Sequence, residues 1–161
     1  MTKIQRLPAG RWEEYRALRL EALKKEAAAF GSSVEDEVAL TEDDWKTRIE
    51  NTLFAMSGES PVGMIAMVGN NRRKTKHVAD IFGVYVKPRH RDKGIGTKLV
   101  QAAIREARSK GIVKVRLEVN PEQKAAIRLY RKAGFKVVGK ARKDLKVGRR
   151  FYDLVYLEKF L

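Results

Sequence analysis

One stretch, RHRDKGIGTKLV at residues 89–100, constrains this chain more than any other. A strand-like run, HVADIFGVYVK, ends just before Pro88, and a helix-like run spans 96–109. Between them lie two glycines, Gly94 and Gly96, set among basic residues. Glycine lets backbone N–H groups approach a ligand closely. The first turn of a helix adds unpaired donors and the positive end of its dipole. The stretch therefore reads as an anion cradle where a strand gives way to a helix, with Arg91 and Lys93 adding charge. Two familiar phosphate schemes do not fit it. No G-x-x-x-x-G run followed by Lys-Ser or Lys-Thr is present, and the third glycine of G-x-G-x-x-G is replaced by Leu99.

The remaining composition narrows the chemistry. Of 161 residues, 43% are hydrophobic and 34% charged, which suits one globular domain over residues 1–161. No apolar run approaches the roughly 18 residues of a membrane span. The leading MTKIQRLPAGRWEEYR has no apolar signal core, so a cytoplasmic location is expected. There is no cysteine, and His77 and His90 are the only histidines. Disulfides, thiolate catalysis and Cys-ligated metals are excluded, and no G-x-S-x-G elbow accompanies either histidine. The chemistry must run on carboxylates, tyrosines, backbone groups or a bound cofactor, and no metal is expected. A net charge of +15 attracts nucleotides, nucleic acid or anionic cofactors, though a Lys/Glu-rich solvated surface would give the same figure.

Periodicity supplies the elements. RWEEYRALRLEALKKEAAAF has apolar residues at helical spacing and is broken by Phe30-Gly31-Ser32-Ser33. TEDDWKTRIENTL is a second helix, with Thr41 as N-cap and acidic residues in its first turn. LFAMS-GESP-VGMIAMVG reads as a hairpin, and NNRRKTK as a polar turn. Gly83 inside the next strand is either a bulge or a packing glycine. After helix 96–109, IVKVRLEVN alternates with Val113, Val115, Leu117 and Val119 on one side. PEQKAAIRLYRKAGF is a helix bounded by Pro121 and Gly134, and two strands close the chain. The order β-α-α-β-β-β-α-β-α-β-β predicts a mixed α/β domain of the α+β kind.

Arg91-Asp92-Lys93-Gly94-Ile95-Gly96 resembles the Q/R-x-x-G-x-G/A motif of the GNAT superfamily of N-acetyltransferases. LEVNPEQKAAIRLYRKAGF resembles that family's second cofactor segment, which ends in A-x-x-L-Y-x-x-x-G-F. FYD near the C-terminus and AFGSS are similar to segments of small bacterial or archaeal members. The resemblance covers essentially the whole chain. It implies a central, mostly antiparallel twisted sheet flanked by helices. It implies acetyl-CoA as co-substrate, with its pyrophosphate on Arg91, Asp92, Lys93, Gly94, Ile95, Gly96 and Thr97. The backbone of Val84, Tyr85 and Val86 would pair with the pantetheine arm like an added strand. Asn120 or Gln123 would also touch that arm; Gln123 stands where the family often has Asn. Asp92 stands where the family commonly has Gly, so its side chain is expected to avoid the phosphates or cap the helix.

The implied reaction is direct acetyl transfer in a ternary complex to a primary amine, on a small molecule or on a protein or peptide N-terminus. It needs a base for the amine and an acid for the leaving thiolate. Tyr130 matches the family's tyrosine beside the coenzyme sulfur; its spacing with Ala126, Leu129 and Ala133 also suits a core tyrosine. Glu118 is the first candidate base, as in ribosomal-protein N-terminal acetylases; it could instead pair with Lys114 or Arg116. Asp80 is the second candidate, or else a strand-end aspartate in a salt bridge. Tyr152 and Asp153 are candidates for amine recognition or simple hairpin pairs. The family often dimerises, which leaves a homodimer open. No membrane partner is expected. The competing readings are a basic nucleic-acid-binding module, for which no recognised motif is present, and a coenzyme A-binding sensor without catalysis.

Overall fold

The computed structural model describes the whole chain, Met1 to Leu161. Seven strands form one sheet: β1 (Thr2–Gln5), β2 (Thr52–Ser57), β3 (Ser60–Gly69), β4 (Val78–Val86), β5 (Lys114–Val119), β6 (Lys136–Val147) and β7 (Arg150–Phe160). Their order is β1-β2-β3-β4-β5-β7-β6. Only β4 and β5 run parallel; the other neighbours are antiparallel. The parallel step arises because a helix, α4 (Ile95–Ser109), separates those two strands and returns the chain to the same end of the sheet. This is the mixed, mostly antiparallel architecture expected from the sequence.

Two apolar cores lie on opposite faces. On one, α4 buries Leu99, Val100, Ala103, Ile104 and Ala107 against Val115 and Leu117 of β5. The helix α5 (Lys124–Lys132) adds Tyr130 to that face. On the other, α1 (Trp12–Lys25) and α3 (Glu42–Ile49) bury Tyr15, Leu18 and Trp45 against Phe54, Met64 and Tyr85. Thr41 caps α3 as expected. Its Oγ1 accepts from the Asp44 N–H at 3.2 Å, and the Asp44 carboxylate accepts from the Thr41 N–H at 2.9 Å. The two bonds complete a capping box.

Three details depart from the sequence reading, and one open alternative is decided. A short helix, α2 (Val34–Val38), follows the Phe30–Ser33 break, started by Ser33 Oγ accepting from the Asp36 N–H. The α5 helix begins at Lys124 rather than near Pro121. Asn120 holds the intervening residues in a turn: its Oδ1 accepts from the Glu122 N–H at 3.0 Å, and its carbonyl from the Gln123 N–H at 2.9 Å. Val113 lies outside β5 and is half exposed, so it does not join Val115, Leu117 and Val119 in the core. Asp153 is occupied as a hairpin group: it accepts from the Lys143 N–H and pairs with Lys140 at 3.2 Å. That fixes the irregularity of β6 between Ala141 and Leu145.

The sheet opens in its middle. The β4–β5 pairing covers only Val78–Asp80 against Lys114–Arg116. Beyond Asp80 the strands part. On its other edge β4 carries one more residue than β3: Met64 faces Tyr85, but Ala66 faces Phe82. Gly83 lies in that bulge with φ +65°, where a side chain would be strained. The bulge reading of Gly83 therefore holds.

Candidate active site

The parting of β4 and β5 creates a groove of about 1150 Å³. β4 from Asp80 to Val86 forms one wall, and Leu117–Asn120 and Tyr130 form the other. The start of α4 lies at one end. Gly94 is its N-cap, with φ +74°, and no side chain caps the helix. No N–H from Asp92 to Thr97 has an acceptor within the protein. Six consecutive donors thus converge at a positive helix end, which is the chemistry of a phosphate cradle.

The residues of this loop divide the work. Ile95 is buried in the core and offers only its N–H to the groove. At Gly96 a Cβ would lie 3.1 Å from Leu129 Cδ2, so this glycine also lets α5 pack close to α4. Arg91 is held in place: its Nε donates to the Val86 carbonyl at 2.8 Å and its Nη2 to Glu26 at 2.9 Å. Its guanidinium also stacks over the Tyr85 ring, 5.6 Å from the centroid. Its charge is shared with Glu26 instead of standing free. Lys93 and Thr97 are exposed. Asp92 lines the groove and has φ +60°, in the left-handed region that favours glycine. It caps nothing.

Val84, Tyr85 and Val86 line the groove on the edge of β4 that β5 has left. The Tyr85 side chain turns into the α1 core, where its hydroxyl donates to Glu21 at 2.8 Å. The Val86 carbonyl is taken by Arg91. Asn120 is buried, and its Nδ2 donates to the Ala28 carbonyl at 3.1 Å, tying the turn before α5 to the segment after α1. Gln123 lies on the groove as the N-cap of α5, and its side chain does not cap the helix.

Tyr130 is 6% exposed and packs edge-on against Phe135, at 5.9 Å between centroids. Its hydroxyl makes no hydrogen bond in the protein, yet it is not sealed off: the only polar side-chain atom both buried and unbonded is Trp45 Nε1. Burial pushes the Tyr130 phenol well above its ordinary value, so it stays protonated. The two carboxylate candidates differ. Asp80 is held by Arg116, Nε to Oδ1 at 2.5 Å. Lys114 pairs with Glu158 at 2.6 Å. Glu118 is therefore left without an ion pair, exposed on the groove across from Tyr156. No group of three or more His, Cys, Asp or Glu is arranged to hold a metal ion, and no helix is long and apolar enough to cross a membrane.

One cluster was invisible in the sequence. Arg19 of α1 meets Glu37 of α2 in a two-pronged pair, Nε–Oε1 at 2.9 Å and Nη2–Oε2 at 2.8 Å. Arg48 of α3 reaches the same carboxylate at 3.0 Å. Burial pushes the Glu37 carboxyl up, but Arg19, Ser32 and Arg48 outweigh it and hold it below the usual range.

Comparison with known proteins agrees with this geometry. The family model described as "Acetyltransferase (GNAT) family" matches residues 12–135. An uncharacterized N-acetyltransferase of Methanocaldococcus jannaschii is 39% identical over 77 residues, 47% of this chain and 34% of the relative. The L-methionine sulfoximine/L-methionine sulfone acetyltransferase of Pseudomonas aeruginosa is 32% identical over 75 residues, 47% of this chain and 44% of the relative. The chain thus matches less than half the length of either relative. Among solved structures, a GNAT family acetyltransferase from Streptococcus pneumoniae superposes with a TM-score of 0.89 at 23% identity, covering 100% of both chains. A phosphinothricin acetyltransferase from Sinorhizobium meliloti, solved with acetyl-CoA, gives 0.84 at 16% identity, covering 99% of this chain and 88% of that one.

Proposed function

This chain belongs to the acetyltransferase (GNAT) family, and from that premise we propose that it moves an acetyl group from acetyl-CoA directly onto a primary amine. The observation that carries the reading is the run of unpaired N–H groups from Asp92 to Thr97 at the mouth of the β4–β5 opening. A phosphate group there would gain several donors at once, with the helix dipole behind them. On the edge that β5 leaves, the backbone of β4 at Val84 and the Val86 N–H would offer hydrogen-bonding groups to an extended amide chain, while Tyr85 pairs with Met64 of β3.

Bound acetyl-CoA would supply a thioester carbonyl and a thiol leaving group. The protein's own residues would supply the proton traffic. Tyr130 keeps its phenolic proton at neutral pH and holds it in the groove, as a general acid for the departing thiolate must. Glu118 carries an unpaired carboxylate on the groove and would take the amine proton, directly or through water. Asp80 is a weaker candidate because Arg116 already occupies its carboxylate. With no cysteine in the chain, direct transfer in a ternary complex fits better than an acyl-cysteine route.

Coenzyme A titrated calorimetrically, followed by thiol release from acetyl-CoA over a panel of amines, tests the reading. Micromolar coenzyme A binding and amine-dependent thiol release that collapses in Tyr130→Phe support it. Salt-sensitive nucleic-acid binding without coenzyme A binding would overturn it.

A further inference from the structure

A second cavity, of about 240 Å³, adjoins the groove on the α1–α3 face of the sheet. The two spaces share Arg19, Ser32, Phe82 and Gly83. The junction therefore sits at the β4 bulge, immediately before the Val84–Val86 edge. The second cavity is lined by two arginines, Arg19 and Arg48, and by no aspartate or glutamate. Ser32, Asn51 and Thr52 add polar groups.

Arg19 is the unusual member. It is 7% exposed, and Glu37 engages its Nε and Nη2. Its Nη1 has no hydrogen-bond acceptor in the protein. Nor is that atom sealed away, since Trp45 Nε1 alone is both buried and unbonded. A Cβ at position 83 would lie 3.1 Å from this Nη1, so the bulge glycine keeps its approach clear. Phe30 stacks under the guanidinium at 5.1 Å, which fixes its plane. Arg48 brings a second guanidinium with only its Nη1 committed to Glu37. The Arg48 side chain is 41% exposed and water solvates part of its charge, so the buried, unanswered donor at this small polar cavity is Arg19 Nη1. A charged donor in that position gains most from a ligand carboxylate.

We infer that the amine acceptor also carries a carboxylate, which Arg19 and Arg48 bind in this second cavity while the amine lies at the Gly83 junction. This rests on the acetyltransferase reading and names the substrate class for it: a small zwitterionic, amino-acid-like amine, not a polyamine. The cavity lies below the roughly 300 Å³ at which drug-sized pockets begin, so it suits a carboxylate head and little more. Phe82, half exposed at the junction, offers an apolar surface to the acceptor's side chain.

The test compares each of several α-amino acids with its carboxamide and its decarboxylated amine. Calorimetry measures coenzyme A first, then each ligand with coenzyme A present or absent; thiol release gives kcat/KM. The acids should bind and react roughly ten- to a hundredfold better than their amides. Arg48→Met should erase that preference while its coenzyme A affinity stays. Removing Arg19 alone takes both prongs of its pair from the buried Glu37 and leaves it only the half-exposed Arg48, so the paired variant Arg19→Met/Glu37→Met, checked by thermal melting, tests the second guanidinium. Equal use of acids and amides, or coenzyme A binding with no acid bound, overturns the inference and leaves the acetyltransferase reading intact. Failure to bind coenzyme A overturns that reading instead, and the acid-over-amide difference in direct titration then decides the inference alone.

Discussion

At Asp92 the backbone and the charge both argue for a different residue. The position has φ +60° and lines a groove whose donors suit an anion. A left-handed conformation costs an ordinary L-residue about 1–2 kcal/mol, less for Asp or Asn. Replacement by Asn keeps the local tolerance for that conformation and removes the charge. Asp92→Asn should tighten coenzyme A binding by about three- to tenfold with no change in melting temperature. Asp92→Gly should do the same, because strain relief is offset by roughly 0.4–1 kcal/mol of added unfolded-state entropy. Unchanged affinity in both variants would mean that the carboxylate does not sense the phosphates. The catalytic candidates separate as cleanly. Tyr130→Phe keeps the packing on Phe135 and should lower kcat about 10²–10⁴-fold. Glu118→Gln should lower kcat in the same manner. Asp80→Asn should act weakly, because it breaks an exposed pair with Arg116 worth about 1 kcal/mol or less. If Asp80→Asn lowers kcat strongly and Glu118→Gln leaves it, the two roles are reversed.

Between elements, the Glu37 cluster fastens α1, α2 and α3 to one another over the acceptor side of the sheet. Its folded carboxyl lies below the usual value, so its contribution is complete above the unfolded value of about 4.3 and is lost as pH falls through the folded one. Glu37→Gln should cost about 3 kcal/mol near neutral pH and flatten the decline in melting temperature on acidification, since the titrating group is gone. A variant curve parallel to the parent's would assign the acid sensitivity to other carboxylates. The same cluster shows where reading the sequence stops. Apolar spacing found α4, its buried face and the cap at Thr41, because those depend on neighbours three or four residues away. The glycine loop and the Tyr130 segment were legible as motifs. Arg19 and Glu37 lie 18 residues apart with a break between them, and Arg48 comes from another helix, so no local period joins them. Asn120 reads as a cofactor contact in the chain, yet its amide bonds Ala28, which is 92 residues away. Gly96 reads as a donor for phosphate, and only the packed α5 reveals Leu129 against it.

For the molecule as a whole, the net charge of +15 has no counterpart in the groove's chemistry, where most cations near the cradle are paired or exposed. Its consequence is a field that draws an anionic co-substrate from solution. Screening shortens that field to about 10 Å at 0.1 M salt and about 3 Å at 1 M. Raising salt from about 50 to 500 mM should therefore lower kcat/KM for acetyl-CoA roughly three- to tenfold and leave kcat unchanged, because bound reactants sit inside the groove. The local cradle and the global field can be told apart. Arg72, Arg73 and Lys74 lie in the β3–β4 turn and do not line the groove. Changing all three to Gln removes three positive charges without altering a groove-lining residue. If the whole field steers, kcat/KM for acetyl-CoA should fall up to about twofold at low salt, and the difference should vanish at 500 mM. If only the cradle matters, the variant should match the parent at every salt concentration while Lys93→Gln weakens binding at low salt. A drop in kcat itself in the triple variant would contradict steering, since a diffusional effect cannot change the rate of the bound complex.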